Sequence, residues 1–304
     1  MRLLGIEIGG TKLQIVVGDE SAAIVERRRF TVERAHGAAG IRRQIEAGVE
    51  ELLARHRPVA VGVGFGGPVD WRTGRACRSH HIEGWSEFDL GGWLRRWTGA
   101  RVVVDNDANV AAFGEARRGA GRDFNPVFYF NLGSGVGGGL IVDGRIYHGA
   151  IPGEVEFGHV RLDRAGTTVE ARCSGWAVDA HLRTLKQTEP DGALARLIGD
   201  AVGGEARHLA GALAQGDPTA KRVLDELAGD VAFALSHAVH LFHPQLVVVG
   251  GGLSQVGEPL RAAVAGALPR FVMEAFWPGP EICVAQLGED AVPVGALLLA
   301  QANG

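Results

Sequence analysis

The sequence is 304 residues long, 46% hydrophobic and 22% charged, the profile of a globular chain with room for about two ordinary domains and not of a disordered or fibrous one. Its net charge of -4 excludes a global basic field for nucleic acid or an anionic membrane. Three widely separated cysteines, Cys77, Cys173 and Cys283, exclude a disulfide framework and a paired-cysteine metal ribbon. The 46 glycines are about twice the usual share, which points to tight turns or to backbone brought close to a ligand. The start, MRLLGIEIGGTK, reaches Glu7 and Gly9 before an apolar run of signal-peptide type can form, and no later stretch is long and apolar enough to span a bilayer. A cytoplasmic protein is expected.

In chain order, Leu3 to Val17 reads as a β-hairpin with Gly9-Gly10-Thr11-Lys12 at its tip, since no helical segment follows the glycines. Ala39 to His56 carries apolar residues at helical spacing and leads into a strand, Val59 to Phe65. A loop through Pro68 and Gly74 follows, then a strand from Arg101 to Val104 and a helix from Asp107 to Arg118. Val127 to Val142 reads as a second glycine-rich hairpin. The recurrence of strand, glycine turn and strand predicts two related lobes. From Ser174 onward the chain is mostly helical, with Asp217-Pro218 opening a long helix, Thr219 to His243, that Pro244 stops. A buried strand, Gln245 to Val249, runs into Gly250-Gly251-Gly252. A helix near Gly257 to Phe271, a strand near Glu281 to Gln286 and a helix from Val292 complete the chain.

Three segments carry chemistry. The first hairpin sets backbone N–H groups and the Thr11 hydroxyl at an open tip beside the Glu7 carboxylate, a pattern suited to polyphosphate and hydrated Mg2+. It is not a P-loop, because the spacing differs and no helix follows. In the second hairpin, five glycines fall in the seven residues from Gly133. Each weakens a strand by roughly 0.5–1 kcal/mol relative to alanine, so a backbone that faces phosphate explains them better than a plain turn. The third segment, Val104-Asp105-Asn106-Asp107-Ala108-Asn109, lies where a strand gives way to a helix, a place that holds a carboxylate rigidly; helix capping by Asp or Asn is the competing reading.

Taken in order over nearly the whole chain, GIEIGGTK, GFGGPVD, DNDANVAAFGE, LGSGVGGGLIVDG, EFGH and VVVGGGLS resemble the ROK family of sugar kinases. The resemblance implies an α/β, two-lobed actin-like ATPase (ribonuclease H-like) fold with a central cleft. It also implies an N-terminal lobe over residues 1–107, on which a C-terminal helix at 292–304 packs back, and a larger lobe over 108–291. The implied activity is glucokinase-like phosphorylation of a hexose hydroxyl by ATP with Mg2+. By the same resemblance Asp107 is the catalytic base, and Asn106, Glu156, His159 and Glu170 bind the sugar. Gly9, Gly10, Thr11 and Lys12 form the first phosphate loop, with Glu7 holding Mg2+, through water if not directly. Gly133, Ser134, Gly135, Gly137 and Gly138 form the second loop, and Gly250, Gly251 and Gly252 the adenosine side. The expected partners are a small-molecule sugar and ATP, without nucleic acid or membrane, and a homodimer is left open.

The chain departs from the family at two places. Glu7 replaces the usual Asp, one methylene longer, which bears on metal placement. The CxCGxxGC cluster with which many relatives hold structural zinc is missing between His159 and Glu170, so no zinc site is expected. Cys173 is then a small buried hydrophobe. His237, His240 and His243 step by about 60° around a helix and do not converge on a metal, and Trp85, Trp93 and Trp97 are expected to be packed. A sugar-responsive regulator is disfavoured, since the strand from Leu3 leaves no room ahead for a helix-turn-helix. A catalytically weak sugar-binding relative stays as the alternative because of Glu7.

Overall fold

The structure is a computed structural model that describes residues 1–77, 82–153 and 155–302. The chain runs β1 (Leu3–Ile8), β2 (Lys12–Gly18), β3 (Ile24–Thr31), α1 (Gly37–Arg55), β4 (Ala60–Phe65), β5 (Val69–Asp70), β6 (Arg75–Ala76), α2 (Leu90–Thr98), β7 (Arg101–Asn106) and α3 (Asp107–Arg118). It continues through β8 (Val127–Leu132), β9 (Val136–Val142), β10 (Arg145–Ile146), α4 (Val169–Cys173), α5 (Gly175–Thr188), α6 (Ala193–Ile198), α7 (Leu209–Ala214) and α8 (Pro218–Phe242). The last elements are β11 (Leu246–Gly250), α9 (Glu258–Ala267), β12 (Glu281–Val284) and α10 (Ala291–Gln301).

Two five-stranded sheets result, ordered β3-β2-β1-β4-β7 and β10-β9-β8-β11-β12. Each combines a hairpin with two later strands added in parallel: β4 beside β1 and β7 beside β4, then β11 beside β8 and β12 beside β11. The repeated hairpin expected from the sequence is therefore a repeated sheet topology. By packing, the chain divides into a unit formed by Met1–Asp123, Gly139–Val155 and Gln286–Gly304 and a second formed by Phe124–Gly138 and Glu156–Ala285. The expected boundary, at Asp107, falls inside the first of these units. Helix α3 stays with the first unit because its buried face packs on α10, and the chain crosses between units more than once. Helix α10 also packs on β1 and β4; the last two residues expected in it lie outside the described ones.

The first unit's core is built by strands whose side chains are buried on both faces, as in β1 and β4, the pattern of a sheet covered by helices. Gly62 and Gly295 show what such closeness requires. A Cβ on Gly62 would lie 1.9 Å from the Ala296 carbonyl oxygen, and one on Gly295 equally close to that of Val110. Part of the glycine excess thus serves helix-on-sheet contact and not a ligand. Glu115, fully buried, accepts backbone N–H bonds from Ala120, Gln286 and Leu287 at 2.9, 3.1 and 2.8 Å, which ties the end of α3 to the approach to α10.

Strand β3 and helix α2 are not among the elements that the sequence predicts. Strand β3 is an edge strand, and its burial is irregular along Glu26-Arg27-Arg28-Arg29, a charged edge that resists pairing with other chains. Helix α2 begins Leu90-Gly91-Gly92, with two poor helix formers in its first turn, and it forms because the Asp89 carboxylate accepts the Gly92 N–H at 2.8 Å.

In the second unit α8 starts where Asp217 caps it, Oδ1 accepting the Ala220 N–H at 2.8 Å, and ends at His243, whose φ of 45° is left-handed. His243 stacks on Phe276 and His240 accepts the Met273 N–H at 3.1 Å, so these histidines serve the end of a helix. Trp85 is 1% exposed against Phe65 and Phe88, and Trp93 stacks on Trp97. Glu205 is wholly buried in this unit. Burial alone would raise its carboxyl, but the Arg183 guanidinium at 2.7 Å and the Gly203 N–H at 3.0 Å outweigh that and hold it down to about 2. Its ionised form therefore adds stability above the ordinary value of 4.5, and that stability fades as the pH falls toward 2. Glu205→Gln is expected to lower the thermal midpoint at pH 7, with the gap to wild type narrowing steadily below about pH 4.5. A gap independent of pH would show that the charge is not what Glu205 contributes.

Candidate active site

In the first unit the site grows from strand register. Ile8, Phe65 and Asn106 lie side by side at the carboxyl ends of β1, β4 and β7, the edge at which open α/β sheets bind ligands. Beyond Ile8 comes the glycine tip. The Gly9 N–H donates to the Lys12 carbonyl at 2.9 Å, closing the turn, and Thr11 is exposed. Arg34 Nε donates to the Gly10 carbonyl at 3.1 Å, a cation at this tip that sequence reading missed and that only the return of β3 brings here.

Beyond Phe65 comes Gly66, whose N–H donates to the Ile8 carbonyl at 2.7 Å. A Cβ there would lie 3.3 Å from Asp107 Oδ2 and 3.5 Å from the Gly9 Cα. Gly66 is the close approach at which the glycine tip and Asp107 meet. Asp107 opens α3 and is half-buried. Asn106 caps that helix, its Oδ1 accepting from the Ala108 and Asn109 N–H groups at 2.9 and 3.2 Å, while Nδ2 donates to the Gly67 carbonyl at 3.3 Å. Capping therefore takes its oxygen, and what Asn106 can offer a ligand is the remaining Nδ2 hydrogen.

Glu7 sits on β1 just before the tip, 9% exposed. Its Oε2 accepts from Gln14 Nε2 at 2.7 Å and its Oε1 lies 3.3 Å from Lys12 Nζ. Burial raises its carboxyl above the ordinary range, and the Lys12 charge and the Gln14 bond offset that only in part. Gln14, wholly buried, in turn accepts from Arg27 and Arg29 at 3.2 and 2.9 Å; no sequence signal marked it. A desolvated carboxylate with incomplete compensation suits a cation. A lone carboxylate of this kind would fit a hard, hydrated cation such as Mg2+, which would draw its other oxygens from waters and phosphates; among the described residues no group of three or more metal-ligating side chains occurs.

The second unit holds the other predicted residues. Its glycine turn closes through the Gly133 N–H to the Gly135 carbonyl at 3.0 Å, and the Gly137 N–H donates to Asn131 Oδ1 at 3.0 Å. A Cβ on Gly251, φ 81°, would lie 2.5 Å from the Leu132 carbonyl carbon, so Gly250-Gly251-Gly252 runs directly past the start of that turn, and Gly252 is open. Glu170 is aimed at the same turn. Its Oε2 accepts the Val136 N–H at 2.9 Å and leaves no room for a side chain at Gly135, so one carboxylate oxygen is committed to the loop.

Glu156 precedes and His159 ends the 3-10 turn Phe157–His159, both exposed and 3.9 Å apart. The turn is anchored by Phe157, packed on Phe128 and Phe130, and by Gly158, where a Cβ would meet the Val136 carbonyl oxygen at 2.2 Å. Cys173 is buried, its thiol pushed up to about 12 by desolvation, which suits an inert core residue.

The model of the ROK family matches residues 3–303. A glucokinase of Streptomyces coelicolor is 32% identical over 310 residues, covering 98% of this chain and 97% of the relative. An N-acetylgalactosamine kinase of Shewanella is 28% identical over 304 residues, covering 97% and 95%. Among solved structures, a ROK family glucokinase from Streptomyces griseus in complex with glucose and AMPPNP superposes with a TM-score of 0.88 at 32% identity over all of both chains. With that fold shared end to end, the α/β architecture described above is the actin-like ATPase fold of these kinases, and the chain belongs to the ROK family.

Proposed function

We propose that the chain transfers the γ-phosphoryl group of ATP to a hydroxyl of a hexose-type sugar, with glucose the first substrate to test. The observation that carries this reading is the meeting, around Gly66, of a glycine tip with a buried carboxylate and of Asp107 at the head of a helix. Phosphoryl transfer needs positioning, charge neutralisation and a proton acceptor for the attacking hydroxyl. Asp107 takes that proton as the new P–O bond forms, because an alkanol does not ionise near neutral pH. Asn106 through its remaining Nδ2 hydrogen, Glu170 through its uncommitted carboxylate oxygen, and the exposed Glu156 and His159 hold the sugar, together offering the donors and acceptors that a polyol needs. The backbone of Gly9 to Lys12 and of Gly133 to Gly138 faces the polyphosphate, and Gly250 to Gly252 the adenosine. Mg2+, when bound near Glu7, neutralises charge on the phosphates. The glucokinase names of relatives and the glucose and AMPPNP of the Streptomyces griseus structure support the substrate class.

No zinc is expected to take part, since residues 160–172 contain no cysteine. The protein is read as cytoplasmic and free of nucleic acid, with a homodimer as the assembly to test; among the described residues no helix is long and apolar enough to cross a membrane. The deciding experiment follows ATP consumption with Mg2+ against glucose, fructose, N-acetylmannosamine and N-acetylgalactosamine, with and without a zinc-selective chelator. Turnover of at least one hexose, unchanged by the chelator, is expected. Sugar binding without turnover of any of them would favour the binding-only alternative.

A further inference from the structure

Behind the β7–α3 junction lies a cluster that the assigned roles leave unused. His148 Nε2 is 2.6 Å from Asp105 Oδ2, with side-chain exposures of 16% and 5%. A carboxylate only accepts, so the imidazole donates. The other face of this contact is aromatic: the His148 ring stacks on Trp71 with centroids 4.1 Å apart and planes within 11°.

Asp105 passes the constraint on. Its Oδ1 accepts from the Asn106 N–H at 2.8 Å and from Asn109 Nδ2 at 3.0 Å. The two residues that follow it in the chain are Asn106 and Asp107. Asn109 Nδ2 also donates to the Gly153 carbonyl at 2.9 Å, so both ends of the stretch from His148 to Gly153 are fastened to the junction. The stretch is packed without slack, because a Cβ on Gly153 would lie 2.8 Å from the His148 Cβ and 3.0 Å from Trp71 Cδ1.

Two further atoms argue against a merely structural cluster. Among the described residues, Trp71 Nε1 and Asn109 Oδ1 are buried without a hydrogen-bond partner, a penalty that apolar packing of the same volume would avoid. Such a penalty is kept where geometry matters more than stability. A near-attack arrangement is such a case, since an error of about 1 Å in a reacting group can cost about 100-fold in rate.

We propose that His148, held by Trp71 and hydrogen-bonded to Asp105, is a positioning residue that fixes the β7–α3 turn and with it the direction of the Asp107 carboxylate. The inference rests on the proposed role of Asp107. Its effect should therefore fall on turnover, with ligand affinities spared.

The test separates the donor from the stack. His148→Phe keeps a ring against Trp71 and removes the donor, whereas His148→Gln places an N–H near the lost Nε2 and removes the ring. Steady-state kinetics on both, on Asp105→Asn and on Asp107→Asn, with thermal midpoints, give the reading. Expected are a fall in kcat of about 10-fold to 100-fold for His148→Phe, recovery to within about 3-fold of wild type for His148→Gln, and sugar and ATP KM values close to wild type in both. Asp105→Asn, which keeps the acceptor for the Asn106 N–H but removes the charge facing His148, should lose turnover as His148→Phe does; it carries the test if His148→Phe fails to fold. Wild-type kcat in His148→Phe or in Asp105→Asn overturns the proposal, as does an equal loss in the Phe and Gln variants. If Asp107→Asn is itself active, the proposed base has failed; if it is inactive while His148→Phe is not, only the positioning role has.

Discussion

Asp107→Asn is expected to lower turnover by about 10²–10⁴-fold, the usual worth of a positioned general base, while the protein stays folded and binds sugar as before. The substitution is nearly isosteric at the first position of α3, where Asn106 already supplies the helix cap through its own oxygen. The fold therefore does not depend on the Asp107 charge for capping. On the role proposed for Asp107, the variant loses the ability to accept a proton as the sugar hydroxyl attacks, an interaction that exists only in the transition state, so kcat and kcat/KM should fall together and the sugar dissociation constant should hold. Calorimetric titration with glucose beside steady-state kinetics makes the comparison. Turnover near wild type would remove Asp107 from the chemistry and leave the sheet-edge cluster as a binding site alone.

Elements with a strong period were legible in the sequence, and so was the order of the two hairpins. Helix α3 runs over the same residues as expected, Asp107 to Arg118, because the polar DNDAN head and the apolar face behind it leave one reading. Strand β3 was not legible, because its three successive arginines mask the alternation of an edge strand, and apart from Glu26 their partners, Gln14, Glu51, Asp290 and Glu289, lie outside the strand. The candidate site divides in the same way. Residues drawn from glycine-rich runs and the DNDAN segment were readable from local pattern, whereas Gln14, Arg34 and His148 act through contacts that only tertiary structure creates. The EFGH run was readable, but the commitment of Glu170 to the Val136 N–H was not, since it joins α4 to a turn 34 residues earlier. Glycine misled in part: Gly62 and Gly295 are fixed by a helix lying on strands, a requirement that composition alone cannot tell from a phosphate loop.

The metal role proposed for Glu7 is open to substitution, and the surroundings of the side chain fix what each change should do. Burial disfavours its ionised form, so at neutral pH the charge costs stability, a cost absent below the ordinary carboxylate range and complete above the raised one. Glu7→Gln removes that cost and can keep an acceptor for Gln14, so its thermal midpoint at pH 7 should equal or exceed that of wild type. Its turnover should nonetheless fall by about 10-fold to 100-fold, the usual effect of losing a group that acts on a metal through an outer shell, with sugar affinity unchanged and the deficit shrinking as Mg2+ is raised. Glu7→Asp keeps the charge but draws it back from Gln14 Nε2, now 2.7 Å away. The remaining acceptor for that amide would be the Glu289 carbonyl at 3.4 Å, so the aspartate variant should be less stable than wild type yet keep turnover within about 10-fold of it. A faster Asp variant would mean that the longer side chain is a handicap here and not a fit to Gln14. Unchanged rates in both variants, across the Mg2+ series, would take the first hairpin out of the phosphate and metal site altogether.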